Sequence, residues 1–173
     1  MAEDKLYVSY ETVHKMVKGL AGKLEEIHYT PDAIVAIGSG GFIPARILKT
    51  FIQKPIYAVG ISFYGTDHKH GKAPRKIQWI DEVQQEITGK NIVLIDEVND
   101  SQATLAYCIG ELLKYKPNEI VVMVLHDKKK QKDVDMPKEI KHYYPAMLTE
   151  DIWIGYPWDA IDIDWHTEME KKN

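Results

Sequence analysis

Three acids, Asp96, Glu97 and Asp100, fall within residues 92–105, which read IVLIDEVNDSQATL. Carboxylates so close together suit vicinal hydroxyls, or a divalent cation that screens them from a neighbouring anion. The five residues 99–103 that follow are mostly small or polar, so the backbone can approach a bound group closely. Ser101 and Thr104 add hydroxyl donors. Acids beside an anion-ready bend describe a phosphorylated sugar as the ligand. Taken alone, however, an acidic pair is equally well read as a solvated strand end.

The elements around this stretch place it. Four apolar residues, 92–95, predict a short buried strand after a turn at Gly89. Leu105, Cys108, Ile109, Leu112 and Leu113 follow helical spacing. The unit is therefore strand, acidic pair, tight loop, helix. Loops at the carboxyl ends of parallel strands are where open α/β sheets bind ligands. A helix N-terminus there presents unpaired N–H groups to an anion.

A second such unit precedes it. Residues 33–37 predict a buried strand, followed by Gly38-Ser39-Gly40-Gly41 and a helical stretch over 45–51. Glycines allow close backbone approach, and successive amides can hold an anion. The Gly-Lys-Ser/Thr ending of a P-loop is missing. A plain tight turn would look the same, but two anion-ready loops suit a ligand with phosphates at both ends.

The rest of the chain supplies the frame. Residues 9–27 predict an amphipathic helix with Ser9 as N-cap and Glu11 in its first turn. Residues 56–62, 77–80 and 119–125 predict further strands. Residues 63–76, FYGTDHKHGKAPRK, are polar and basic, and read either as a closing lid or as a mobile surface hairpin. His68 and His70 have only weak metal spacing. The run Lys128, Lys129, Lys130 and Lys132 reads as a solvated face, with Lys128 singled out by its place at a strand end. Residues 151–159, DIWIGYPWD, offer Trp153 for stacking, Ile154 for backbone contacts and the carboxylate of Asp159. The same alternation also suits an edge strand.

Composition narrows the class. A chain of 173 residues, 45% hydrophobic and 28% charged, fits one globular domain. The net charge of −4 argues against a general nucleic-acid or membrane-surface binder. No apolar run approaches the ~20 residues of a membrane helix, and the N-terminus lacks the apolar core of a signal peptide. The single cysteine excludes an internal disulfide and suits a reducing, cytoplasmic setting. Cys108 lies on the apolar helix face and reads as core.

The order of residue types from Asp96 to Thr104 resembles the phosphoribosyl pyrophosphate (PRPP) signature of type I phosphoribosyltransferases. The chain departs from it where Ser101-Gln102 replaces the usual Thr-Gly; without the glycine, ordinary φ values are expected at Gln102. GSGGFIPAR is similar to the pyrophosphate loop of the 6-oxopurine members. There the neighbouring peptide is often cis and a basic residue often stands where this chain has Ser39. Arg46 is placed either to compensate or to lie on the helix surface. Ser62 and Tyr64 resemble a pair involved in loop closure. DIWIGYPWD resembles the purine loop of xanthine–guanine and fungal-type hypoxanthine–guanine enzymes. The likeness runs over residues 7–166.

Strands alternating with helices predict a doubly wound, mostly parallel α/β sheet of about five strands in a single domain, and the resemblance adds a small hood from about residues 1–10 and 140–173. It implies transfer of phosphoribose from PRPP to N9 of guanine, hypoxanthine or xanthine, giving a nucleoside monophosphate and pyrophosphate. Asp100 is then the general acid/base at purine N7. Asp96 and Glu97 hold the ribose hydroxyls, and Asp100, Ser101, Gln102, Ala103 and Thr104 cradle the 5′-phosphate. Ser39 and Gly40 hold the pyrophosphate, while Lys128, Trp153 and Ile154 bind the purine. Glu97 and Asp159 serve Mg²⁺. A homodimer or homotetramer is implied, with no nucleic acid or membrane partner. Two rivals stand beside this reading: a phosphoribosyltransferase for another base, and a non-catalytic regulator that binds PRPP or nucleotides on the same fold.

Overall fold

The computed structural model describes residues 5–63 and 74–172. In chain order the elements are β1 (Lys5–Tyr7), α1 (Tyr10–Glu26), β2 (Ala33–Gly38), α2 (Phe42–Ile52), β3 (Ile56–Phe63) and β4 (Pro74–Gln78). There follow α3 (Val83–Ile87), β5 (Asn91–Asn99), α4 (Ala103–Leu113), β6 (Glu119–Lys128), β7 (His142–Thr149) and β8 (Trp153–Gly155). A 3-10 turn, Pro157–Asp159, and α5 (Ile163–Glu170) complete the described chain.

Six strands form the central sheet in the order β4-β3-β2-β5-β6-β7. All neighbours are parallel except the β3–β4 edge pair. The inner strands are apolar on both faces because both faces are covered. Alternate residues point to opposite sides. Ile34, Ala36, Val93, Ile95, Val121 and Met123 meet α1 and α2 through Val13, Val17, Leu20 and Leu48. Val35, Ile37, Ile92, Leu94, Val122 and Val124 meet α4 through Leu105, Cys108, Ile109 and Leu112. Each large aliphatic side chain so buried contributes about 1.5–3 kcal/mol. The doubly wound, mostly parallel expectation therefore holds, with six strands in place of about five.

Helix α1 starts as its sequence dictates: the Ser9 hydroxyl accepts from the Thr12 amide at 3.2 Å. A small second sheet, β1 paired in parallel with β8, forms the hood. Helix α5 ties it down, with Glu170 accepting from the Ser9 amide at 2.8 Å and His166 Nε2 donating to the Val8 carbonyl at 2.9 Å.

Three boundaries differ from expectation. Residues 142–149 were assigned to the hood but form the edge strand β7, pairing with β6 through Val121–Lys128. Their apolar side chains are only partly enclosed, which weakens the strand signal in the sequence. Strand β4 begins at Pro74, three residues before the expected return, and an edge strand tolerates proline at its first position. Helix α3 is five residues long, too short to show a period. The lid expectation falls largely on residues 64–73, with Tyr64, His68 and His70, which lie outside the described residues. Among the described residues no helix is long and apolar enough to cross a membrane.

Candidate active site

Asp96 and Glu97 sit inside a strand, not at its end, because β5 continues to Asn99; Asp100 follows it. Asp96 is 6% exposed, and its Oδ1 accepts from the Glu97 amide at 2.9 Å. Burial pushes its carboxyl well above the usual carboxylate range, and the adjacent Glu97 charge adds to the shift. Glu97 is half-buried, and both acids line one cavity of about 270 Å³. Ser39, Gly40, Asp100, Ser101, Gln102 and Thr104 line it as well. The alternation of a strand thus does not separate the two acids, since each borders the same space.

The bend from β5 into α4 corrects the expectation at Gln102. Its φ is +71°, in the left-handed region, where an ordinary φ was expected. The reason lies in its side chain. Asn99 Nδ2 donates to Gln102 Oε1 at 3.0 Å, and Gln102 Nε2 donates to the Val134 carbonyl at 2.9 Å. These bonds hold an L residue where the family's glycine would rest without strain, at a conformational cost of about 1–2 kcal/mol. The Ser101 hydroxyl accepts from the Ala103 amide at 3.3 Å, and Ala103 does not line the cavity.

The glycine loop closes the opposite wall. The Gly38–Ser39 peptide is cis. The Gly41 amide donates to the Ile37 carbonyl at 2.8 Å. A Cβ on Gly41 would lie 2.6 Å from that carbonyl oxygen and 2.7 Å from the Ile95 oxygen, so this loop rests directly on β2 and β5. A Cβ on Gly40 would overlap the Glu97 carboxylate. Both anion-ready loops thereby face one space. Arg46 does not reach it: its Nη1 donates along α2 to the Thr50 hydroxyl at 3.3 Å, which favours the helix-surface alternative.

Strand β6 carries the basic side. Lys128 is largely enclosed, with Nζ 3.6 Å from Asp100 Oδ2 and 3.3 Å from Asp151 Oδ1. Lys130 Nζ is 2.5 Å from Asp100 Oδ1. The structure therefore brings Lys128 to Asp100. It leaves Trp153, Ile154 and Asp159 on the hood: Trp153 and Asp159 border a separate cavity of about 380 Å³, while the side chain of Ile154, the middle residue of β8, is buried. Trp153 is 63% exposed, which leaves ring surface open for stacking. Glu97 and Asp159, expected as joint metal ligands, border different cavities. Among the described residues there is no cluster of three or more His, Cys, Asp or Glu able to hold a metal.

A link between hood and acids escaped the sequence reading. The Tyr156 hydroxyl donates to the Glu97 carbonyl at 3.0 Å and lies 2.9 Å from His126 Nδ1. Because the phenol proton is used on Glu97, Nδ1–H must donate to the phenol oxygen, leaving His126 Nε2 buried without a partner. Burial lowers the imidazole to about 4. Tyr156 also stacks on Trp158, with ring centroids 4.7 Å apart. The available signal was a lone tyrosine before Pro157-Trp158, with nothing to mark its distant partners. Lys130 was missed for a different reason, since a lysine run gives no sign of which members meet a carboxylate.

Known proteins resemble this chain over most of its length. A family model described as phosphoribosyl transferase domain matches residues 8–159. The chain is 38% identical to the hypoxanthine-guanine phosphoribosyltransferase of Schizosaccharomyces pombe, over 94% of this chain and 92% of that one. It is 34% identical to xanthine phosphoribosyltransferase 1 of Saccharomyces cerevisiae, over 99% and 98%. A solved structure of a hypothetical protein from Neisseria gonorrhoeae with bound ppGpp superposes with a TM-score of 0.91 at 40% identity, covering 99% of this chain and 98% of that one.

Proposed function

Because this chain belongs to the phosphoribosyltransferase family, we propose that it is a purine salvage enzyme that moves the 5-phosphoribosyl group of PRPP onto N9 of a 6-oxopurine. The products are a nucleoside 5′-monophosphate and pyrophosphate. The observation that carries this is the single cavity in which the Ser39–Gly40 loop, the Asp96–Glu97 pair and the Asp100–Thr104 bend all meet. A sugar with a phosphate at one end and a diphosphate at the other needs those three walls.

The residues divide the work by position. Amides and hydroxyls of Ser101, Gln102, Ala103 and Thr104 take the 5′-phosphate at the start of α4. Asp96 and Glu97 hold the ribose hydroxyls, and the Ser39 and Gly40 backbone takes the diphosphate. The bond from C1′ to the diphosphate oxygen breaks as N9 bonds to C1′, and Asp100 accepts the proton that leaves N7. Positive charge develops at C1′, so the acids stabilise it by placement alone. Lys128, 3.6 Å from Asp100, donates to O6 and so ties base orientation to the proton acceptor. Trp153 supplies a stacking face and Ile154 its backbone groups.

The residues fit Mg²⁺. Hard divalent ions of this kind use one or two carboxylates and complete their shell with phosphate oxygens and water, which agrees with a cavity whose acids, Asp96, Glu97 and Asp100, form no three-ligand cluster among the described residues. Glu97 would be the ligand on the sugar side; Asp159, which the resemblance adds, borders the separate hood cavity and would have to approach from there. When bound, the ion supplies positive charge to the departing diphosphate.

Relatives acting on hypoxanthine, guanine and xanthine support the 6-oxopurine class. A lysine donor suits an oxo group and not the amino group of adenine. A cytoplasmic homodimer or homotetramer completes the proposal, supported by the resemblance and by the buried single cysteine. The test is purified protein with Mg²⁺, PRPP and each of guanine, hypoxanthine and xanthine, followed by product chromatography. Nucleotide and pyrophosphate are expected from at least one base; no product from any of the three overturns the proposal.

A further inference from the structure

Lys132 belongs to the run read as a solvated face, yet it is enclosed, with its side chain 19% exposed. Its ammonium lies 2.7 Å from Asp127 Oδ1, 2.9 Å from the Asn99 carbonyl, 3.0 Å from the Asp100 carbonyl and 2.9 Å from the Lys128 carbonyl. Three N–H donors thus serve four converging acceptors. Two belong to the bend after β5 and two to the end of β6. These are the two segments that carry the acid/base group and the base-binding lysine.

The clasp has further members. Asp127 Oδ2 accepts from the Tyr143 hydroxyl at 2.8 Å, and that phenol oxygen accepts from Asn99 Nδ2 at 2.9 Å. Asn99 is 1% exposed and also holds Gln102. The Asp133 amide donates to the Ser101 carbonyl at 3.0 Å, and the Val134 carbonyl accepts from Gln102. Residues 127–134 thereby grip residues 99–102 at every step of the bend. Three carbonyl oxygens and a carboxylate oxygen converging on one point repel one another, and the Lys132 ammonium at their centre offsets that repulsion.

We propose that Lys132 is a positioning residue: it locks the Asp100 bend to the Lys128 turn so that proton acceptor and base-orienting cation keep one relative geometry. The proposal rests on the phosphoribosyl-transfer reading for its kinetic consequence, but the clasp itself does not. Lys132 touches neither substrate nor reacting atoms. Its loss therefore acts on the transition state through misplacement, and a shift of about 1 Å at such a group costs on the order of 100-fold in rate.

The test compares Lys132→Met, Lys132→Arg and Lys129→Met. Lys129 is an exposed neighbour paired with Glu150 at 3.0 Å and belongs to no part of the site. In Lys132→Met, kcat is expected to fall by about 10- to 100-fold, while the KM for PRPP rises by a smaller factor, because Thr104 in α4 and the Ser39–Gly40 loop lie outside the clasp. Lys132→Arg keeps the charge but not the compact shape, and should fall between Met and wild type. Lys129→Met should match wild type. Amide hydrogen exchange across residues 100–103 should accelerate by about tenfold or more in Lys132→Met and stay unchanged in Lys129→Met. A Lys132→Met enzyme with kcat within about twofold of wild type, or with unchanged bend exchange, overturns the proposal. If Lys132→Met does not fold, Lys132→Arg decides: lower kcat with faster bend exchange supports it, and no change in either overturns it. Should wild type turn over no purine, the transfer reading fails, and the exchange comparison alone still decides whether Lys132 holds the bend.

Discussion

Glu97 and Gly40 are in contact across the cavity: the carboxylate on β5 fills the space a side chain on the glycine loop would need. The neighbouring Gly41 is crowded by backbone instead, with the Ile37 and Ile95 oxygens within 2.7 Å of where its Cβ would sit. These two glycines should therefore fail differently. In Gly40→Ala the flexible Glu97 side chain swings away, so stability is nearly kept while PRPP affinity falls by about tenfold, the loss of one charge-assisted contact. In Gly41→Ala the backbone cannot yield, and stability falls by about 1–3 kcal/mol. Denaturant melts and PRPP calorimetry on both variants check the contrast.

Asp100 carries the proton in this account and makes no exclusive contact with the phosphate. Asp100→Asn should lower kcat by about 100- to 10,000-fold while PRPP affinity changes by less than about threefold. Single-turnover kinetics and calorimetry on the same preparation separate the two effects. Unchanged turnover would remove Asp100 from the chemistry.

Gln102 stands at φ +71° and is held there by its amide. Both Gln102→Ala and Gln102→Gly lose those bonds, but only alanine keeps the left-handed strain. The glycine variant should be the more stable of the two by about 1 kcal/mol. Equal stabilities in thermal or urea unfolding would show that the bend relaxes when the amide is gone.

His126 sets an acid limit to stability. Its folded value is lowered to about 4 by burial, against about 6.5 when unfolded. Above about pH 6.5 both states are neutral and the group contributes no pH dependence. As pH falls from 6.5 towards 4 the unfolded state takes up a proton that the folded state refuses, so stability is lost across that window, by up to about 3 kcal/mol. A His126→Gln variant should show a flatter Tm profile between pH 6.5 and 4. A profile parallel to wild type would place the acid sensitivity elsewhere.

Strands β2, β5 and β6 were legible from their apolar runs, residues 33–37, 92–95 and 120–125, which are buried on both faces. The apolar spacings of α1 and α4 were legible for the same reason, since burial imposes a period, and the Ser9 cap of α1 was legible from its residue type. The edge strand β7, with exposed Met147 and Leu148, obeys no such pressure and was read as hood. In the site, groups held by their own local element were visible, as with the acids of β5 and the glycines after β2. Groups defined by a partner far along the chain were not. Tyr156 reaches Glu97 across 59 positions, and Lys132 reaches Asn99 across 33. Gln102 was misread because its conformation is decided by Asn99 and Val134, not by its own preference.

The central claim is that one cavity, walled by Gly40, Glu97 and the Asp100–Thr104 bend, holds an activated phosphosugar. The most direct test is a crystal structure grown with PRPP and Mg²⁺. The account predicts the 5′-phosphate within hydrogen-bond distance of the Ser101–Thr104 amides and the diphosphate against Ser39 and Gly40. An ordered donor elsewhere on the protein, with that bend vacant at saturating PRPP, would contradict it.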